Sequence, residues 1–130
     1  MSSNANAAEA YLTSSVENAP PIKIVRMLYQ GAIRFVGQAS LEDAKNPSSR
    51  FIEHLSSADA IVAELRLALS QGAQGGDVID NLTQLYLFCE SQLQTAMLER
   101  SADPLPSVKR VLDTLLDAWQ AVEVEAVRAA

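Results

Sequence analysis

The chain has 130 residues, the length of one ordinary domain, and 48% of them are hydrophobic, enough for a single sizeable core. Only 5% are aromatic, and with five glycines and five prolines the apolar content is mostly Ala, Leu and Val, which favours helix over strand. The formal charge of −6 is uneven: residues 1–48 hold four basic and four acidic side chains, residues 49–130 six and twelve, a balance that repels phosphate backbones and argues against nucleic acid as a partner.

Reactive groups are few. A single cysteine, Cys89, cannot close an internal disulfide or supply the thiolates of a structural zinc site. A single histidine, His54, excludes sites built from two imidazoles of one chain. The run Gly72-Ala73-Gln74-Gly75-Gly76-Asp77 lacks the Lys-Ser/Thr of a phosphate loop. These absences disfavour catalytic and metal sites and make an enzyme the minority reading. The N-terminus lacks the basic and apolar regions of a secretory signal, and no apolar run approaches the ~18 residues of a membrane span. The expected location is the cytoplasm, without membrane insertion.

In chain order, residues 1–18 read as a flexible tail and cap segment, with a short helix over residues 7–16 ahead of the Asn18-Ala19-Pro20-Pro21 break. Residues 19–126 then divide at breakers into four segments. Pro20-Pro21 opens the first, Asn46-Pro47 the second, Gly75-Gly76-Asp77 the third, and Asp103-Pro104-Leu105-Pro106 the fourth. Proline suits a first helical turn, and Asn46, Asp77 and Asp103 are candidate caps. The predicted helices cover residues 20–44, 47–71, 77–100 and 104–127.

Within each segment the apolar residues recur at alternating steps of three and four. The seams read Val25, Leu28, Ala32, Phe35, Ala39; then Phe51, Leu55, Ala58, Val62, Leu65, Leu69; then Ile79, Leu82, Tyr86, Cys89, Leu93, Ala96; then Val108, Leu112, Leu115, Trp119, Val122, Ala126. This near-3.5 spacing is that of helices crossing at shallow angles, and short connections make neighbours antiparallel. The expected fold is all-α, an antiparallel up-down four-helix bundle. Trp119 and Cys89 read as core residues on their seams. Glu42, Asp43, Asp113, Asp117, Glu123 and Glu125 read as a solvated acidic surface.

Segments one and three carry more apolar residues than the stripe of about 100° that a bundle helix needs. The extra positions include Ile24, Met27, Tyr29, Ile33 and Val36 in the first, and Leu85, Leu87, Phe88 and Met97 in the third. Two readings stand side by side. Either these helices are packed on two sides, or they carry an exposed groove for a partner's amphipathic helix.

Spaced elements of the chain resemble a known family. They are Ala10-Tyr11, Ala19-Pro20-Pro21, Met27-Leu28-Tyr29-x-Gly31-Ala32, Gly75-Gly76-Asp77, Asn81-Leu82-x-x-Leu85-Tyr86 and Trp119. In order and spacing they are similar to the flagellar secretion chaperones of the FliS family, from about residue 8 to residue 124. The resemblance implies a helical bundle that binds the C-terminal segment of flagellin in apolar surface grooves. It implies that the bundle prevents premature polymerisation and delivers flagellin to a component of the flagellar type III export gate, with no catalytic residues, no cofactor and no metal, hence not as an enzyme. It also implies an N-terminal segment, including Tyr11, that covers part of the groove in the free chaperone. Where that family usually has Ser-Pro, this chain has Pro20-Pro21, which removes an N-cap hydroxyl.

The candidate flagellin-binding residues are Tyr11, Ile24, Leu28, Tyr29 and Ile33 from the first part of the chain, and Leu82, Leu85, Tyr86 and Leu93 from the third segment. Leu28, Leu82, Tyr86 and Leu93 also lie on the seams, so a core role competes there. Tyr29 and Leu85 fall off the seams and are the stronger groove candidates. Weak homodimerisation of the free chain stays open. The rival from another class is a histidine phosphotransfer domain using His54, although His54-Leu55-Ser56-Ser57-Ala58 lacks the Lys and Gly that follow the phosphorylated histidine in such domains.

Overall fold

The structure is a computed structural model and describes residues 21–72 and 76–129. Four helices account for nearly all of them: α1 (Pro21–Ser40), α2 (Phe51–Gly72), α3 (Asp77–Glu99) and α4 (Leu105–Ala129). No strand occurs among the described residues, so the fold is the all-α bundle that composition and periodicity predict. Residues 1–20, with the expected helix over residues 7–16 and Tyr11, lie outside the described residues.

The helix boundaries follow local chemistry. Pro21 is the first residue of α1, where its fixed φ suits the helix and its missing N–H leaves no bond unmade. The segment 41–50 is a chain of turns rather than the ends of two helices. Asn46 Oδ1 accepts from the Ser48 amide at 2.9 Å, closing an Asx turn, and Glu42 Oε1 accepts from the Arg50 amide at 2.6 Å. Asn46 therefore shapes this loop instead of capping α2, which begins at Phe51. Gly76 precedes α3 with φ 117° and ψ 168°, a conformation open to glycine alone. Asp77 is thus the first helical residue rather than the cap, and with Asp80 it places negative charge at the positive end of the helix dipole. At its other end α3 stops at Arg100, whose left-handed φ of 48° turns the chain toward α4.

Cross-helix contacts fix the directions. Arg26 and Tyr29 of α1 meet Glu123 and Trp119 of α4, so residue numbers rise on one helix as they fall on the other. Phe35 lies beside His54 between α1 and α2. Ser56 and Arg66 of α2 meet Met97 and Glu90 of α3. Each helix therefore runs antiparallel to its neighbours around the ring α1–α2–α3–α4. The closing interface between α3 and α4 is the smallest of the four.

The core is built from Ile24, Leu28, Tyr29, Ala32, Val36 and Ala39 of α1 and from Phe51, Leu55, Ala58, Ile61, Val62 and Leu65 of α2. Tyr86, Cys89, Leu93 and Ala96 of α3 and Leu105, Val108, Leu112 and Leu115 of α4 complete it. The small Ala32, Ala39, Ala58 and Ala96 are fully buried beside the larger Phe51, Leu55, Leu93 and Leu112, which fill most of the core volume.

One polar cluster interrupts the α2–α3 interface. Arg66 reaches both carboxylate oxygens of the buried Glu90, at 2.7 and 3.1 Å. One turn further along, Gln94 bonds to Asp59, yet Asp59 Oδ1 is buried with no partner. Burial, reinforced by the nearby Glu90 carboxylate, pushes the Asp59 carboxyl above the usual aspartate range.

Candidate functional site

The heptad seams of α3 and α4 extend beyond the part of the bundle that covers them. On α3 the buried seam begins only at Tyr86, while Leu82 and Ile79, one and two turns earlier, are half-buried. On α4 burial of the seam ends at Leu115; Trp119 is half-buried and Val122 is 46% exposed. These stretches lie side by side because α3 and α4 are antiparallel. Together with Leu69 near the end of α2 they form a groove of about 400 Å³ lined by Leu69, Val78, Ile79, Leu82, Leu115, Ala118, Trp119 and Val122.

The groove has a physical origin in the helix boundaries. Gly76 starts α3 abruptly, which puts Val78 and Ile79 in the first turn at the groove mouth. The small α3–α4 interface leaves room between the two walls. At about 100° per residue, Leu85 and Phe88 fall on the same edge of α3 as Val78, whereas Glu90, which marks the α2 side, lies on the opposite flank. The same count puts Val111 on the edge of α4 that carries Leu115, Ala118 and Val122. The exposed Leu85 and Phe88 and the half-buried Val111 lie beyond the residues that line the groove.

Trp119 lines the groove, and behind it two tyrosines are buried in the core. The Trp119 indole N–H donates to Tyr29 Oη at 3.1 Å, and the Tyr29 and Tyr86 hydroxyls are hydrogen-bonded to each other across the centre of the bundle. Burial, and next the Tyr86 hydroxyl, raise the pKa of Tyr29; burial does the same for Tyr86. Both stay neutral and act only as hydrogen-bonding groups. The Cys89 thiol, enclosed nearby, is pushed up to about 12 by burial and then by Glu90, which removes it as a nucleophile. No group of three or more His, Cys, Asp or Glu side chains among the described residues could hold a metal ion.

The structure redistributes the candidate binding residues. Ile24, Leu28, Tyr29, Tyr86 and Leu93 are buried in the core, with Tyr29 and Leu93 at 0% exposure. α1 lies between α2 and α4, so its wide apolar arc is covered from both sides. Tyr29, off the seam in the sequence, is the most central of these residues because its hydroxyl has two partners inside the bundle. Ile33 is half-buried against the core. Of the nine candidates, Leu82 lines the groove and Leu85 is exposed on its edge, while Tyr11 lies outside the described residues. The seam residues Leu69, Ile79, Trp119 and Val122 line the groove, and Leu115 belongs both to the core and to the groove wall. The signal that marks them is positional: they stand at seam ends beside chain breaks, where a covering helix stops.

Residues 4–126 match the family described as flagellar protein FliS. The chain belongs to the FliS family of flagellar secretion chaperones. It is 33% identical over 123 residues to the flagellar secretion chaperone FliS of Vibrio cholerae, covering 90% of this chain and 88% of that protein. The corresponding chaperone of Campylobacter jejuni is 30% identical, with 87% of this chain and 88% of the relative aligned. That of Salmonella typhimurium is 28% identical, with 92% and 88% aligned. Membership makes this chain an export chaperone and not an enzyme, which overturns the phosphotransfer alternative. His54 instead stacks on Phe35 at the α1–α2 interface, with ring centroids 6.3 Å apart. No helix among the described residues is long and apolar enough to cross a membrane.

Proposed function

We propose that the groove between α3 and α4 takes the C-terminal segment of flagellin as an amphipathic helix, in the cytoplasm, and holds it until it reaches the flagellar export gate. One observation carries this reading: two heptad seams continue past the packed core and leave an apolar groove of about 400 Å³ at the ends of α2, α3 and α4. A seam without its covering helix is the surface an amphipathic helix fills by the same side-chain packing that joins the bundle's own helices. Flagellin buries the apolar face of its terminal segment when it assembles, so a chaperone that covers that face prevents early assembly. Ordering a disordered segment costs about 2 to 5 kcal/mol or more, so the contact extends along the edge that carries Leu85 and Phe88 and is not confined to the mouth. The first 18 residues, with Tyr11, act as the removable cover suggested by the family resemblance.

The test is co-elution of the purified chain with full-length flagellin and with flagellin lacking its C-terminal segment. A 1:1 complex with the first and none with the second is expected. Equal co-elution with both would remove the basis for this assignment.

A further inference from the structure

We infer that Trp119, held by Tyr29, determines which segments the groove accepts: it makes the floor reject any docking face that carries a polar side chain. This rests on the flagellin-segment reading above and adds a rule for what that segment must look like. Trp119 lines the groove, and its indole N–H is the polar handle of its side chain. That N–H is donated inward to Tyr29 Oη at 3.1 Å, on a residue with 0% exposure. The other lining residues are Leu69, Val78, Ile79, Leu82, Leu115, Ala118 and Val122, none of which has a polar side-chain atom. A serine or asparagine pressed onto this floor would lose its water and find no side-chain partner.

The orientation of the indole is therefore a choice with a functional consequence. A tryptophan at the same place with its N–H directed outward would offer a donor and tolerate a polar ligand residue. Tyr29 prevents this because its hydroxyl is itself fixed by the bond to Tyr86 from α3. The chain Trp119–Tyr29–Tyr86 joins α4, α1 and α3 and fixes the floor where the α3–α4 interface alone is smallest. Trp119 is thus a specificity-determining residue, and Tyr29 is a positioning residue that acts through it.

The experiment measures binding of the flagellin C-terminal segment and of variants in which each residue of its apolar face is replaced in turn by Asn. In the unmodified chaperone at least one replacement should weaken binding about 30-fold, the scale set by one unpaired polar group in a dry site. The indole N–H faces the hydroxyls of both Tyr29 and Tyr86, so in Tyr29→Phe/Tyr86→Phe it loses its acceptors and is free to serve the ligand, and the loss at that position should shrink to about 3-fold. Adding Trp119→Phe to that double variant removes the N–H and should restore a discrimination of about 30-fold. A readout independent of these variants is the indole N–H resonance of the chain's one tryptophan. It should stay protected from hydrogen exchange in free and bound protein while the ring C–H signals shift on binding.

Tolerance of every Asn replacement by the unmodified chaperone would overturn the inference, as would equal discrimination in Tyr29→Phe/Tyr86→Phe or loss of indole protection on docking. In those outcomes the segment still binds, and the assignment of function survives. Failure of the unmodified segment to bind at all would overturn both.

Discussion

Replacing Val122 by Asp separates groove from core. Val122 lines the groove and is 46% exposed, so the folded chain gains only about half of a valine's burial from it, ~1 kcal/mol. For a chain of this size that loss lowers the melting temperature by about 4 °C. A docked helix, by contrast, would bury the new carboxylate against Leu82, Leu115 and Trp119, with no cation in the lining to meet it. An unpaired buried charge costs several kcal/mol; at about 3 kcal/mol affinity falls ~100-fold. The assay is fluorescence anisotropy of a labelled flagellin C-terminal segment, with thermal melting followed by circular dichroism on the same samples. Val122→Asp should melt within a few degrees of the parent and bind about 100-fold more weakly. Unchanged affinity would show that the ligand does not cover this wall. Loss of the folded state would show that Val122 supports the core despite its exposure.

Leu85→Asp and Tyr29→Asp should behave oppositely although both residues stand off the sequence seams. Leu85 is 37% exposed, and its replacement should cost about 1 kcal/mol or less of stability while weakening segment binding. Tyr29→Asp puts a charge at 0% exposure and removes the partner of Trp119 and Tyr86, so the chain should fail to fold cooperatively, losing about 4 kcal/mol or more in urea titrations. Asp59 should give a pH-dependent stability. Its folded-state pKa is raised by burial and by Glu90, so between the unfolded and folded values the native state binds more protons than the unfolded state. The penalty on the charged carboxylate is full above the folded value and fades as pH falls toward the ordinary aspartate range. Asp59→Asn should therefore be more stable than the parent at pH 7, with the difference narrowing on acidification in parallel urea titrations. A constant difference would show that charge is not the cause.

The fold was largely legible because its determinants are local. Steps of three and four along each segment mark a helix face whatever covers it, Pro21 fixes φ at its own position, and Gly76 permits the positive φ found there. The boundaries that differed did so where side chains competed for backbone amides. Asn46 and Glu42 satisfy the 41–50 turns through Ser48 and Arg50, bonds that connect residues two and eight apart and leave no periodic trace. The Schellman-like stop at Arg100 likewise uses a left-handed residue that is not glycine.

The site was legible as an excess and not as a place. Apolar residues beyond the needs of one core could be counted in α1 and α3, but periodicity measures only whether a residue shares a helix face. Whether that face meets another helix depends on where the neighbours begin and end. Two neighbours enclose α1, so the excess around Tyr29 became core. At the opposite extreme, Ile79, Leu82, Trp119 and Val122 keep perfect seam phase and yet line a groove, because the α3–α4 interface is small there and the core stops short of them. Helix count, antiparallel order and the lack of reactive groups follow from residue types and short spacings. The separation of core from docking surface follows from the relative reach of four helices, a property that arises only when they assemble.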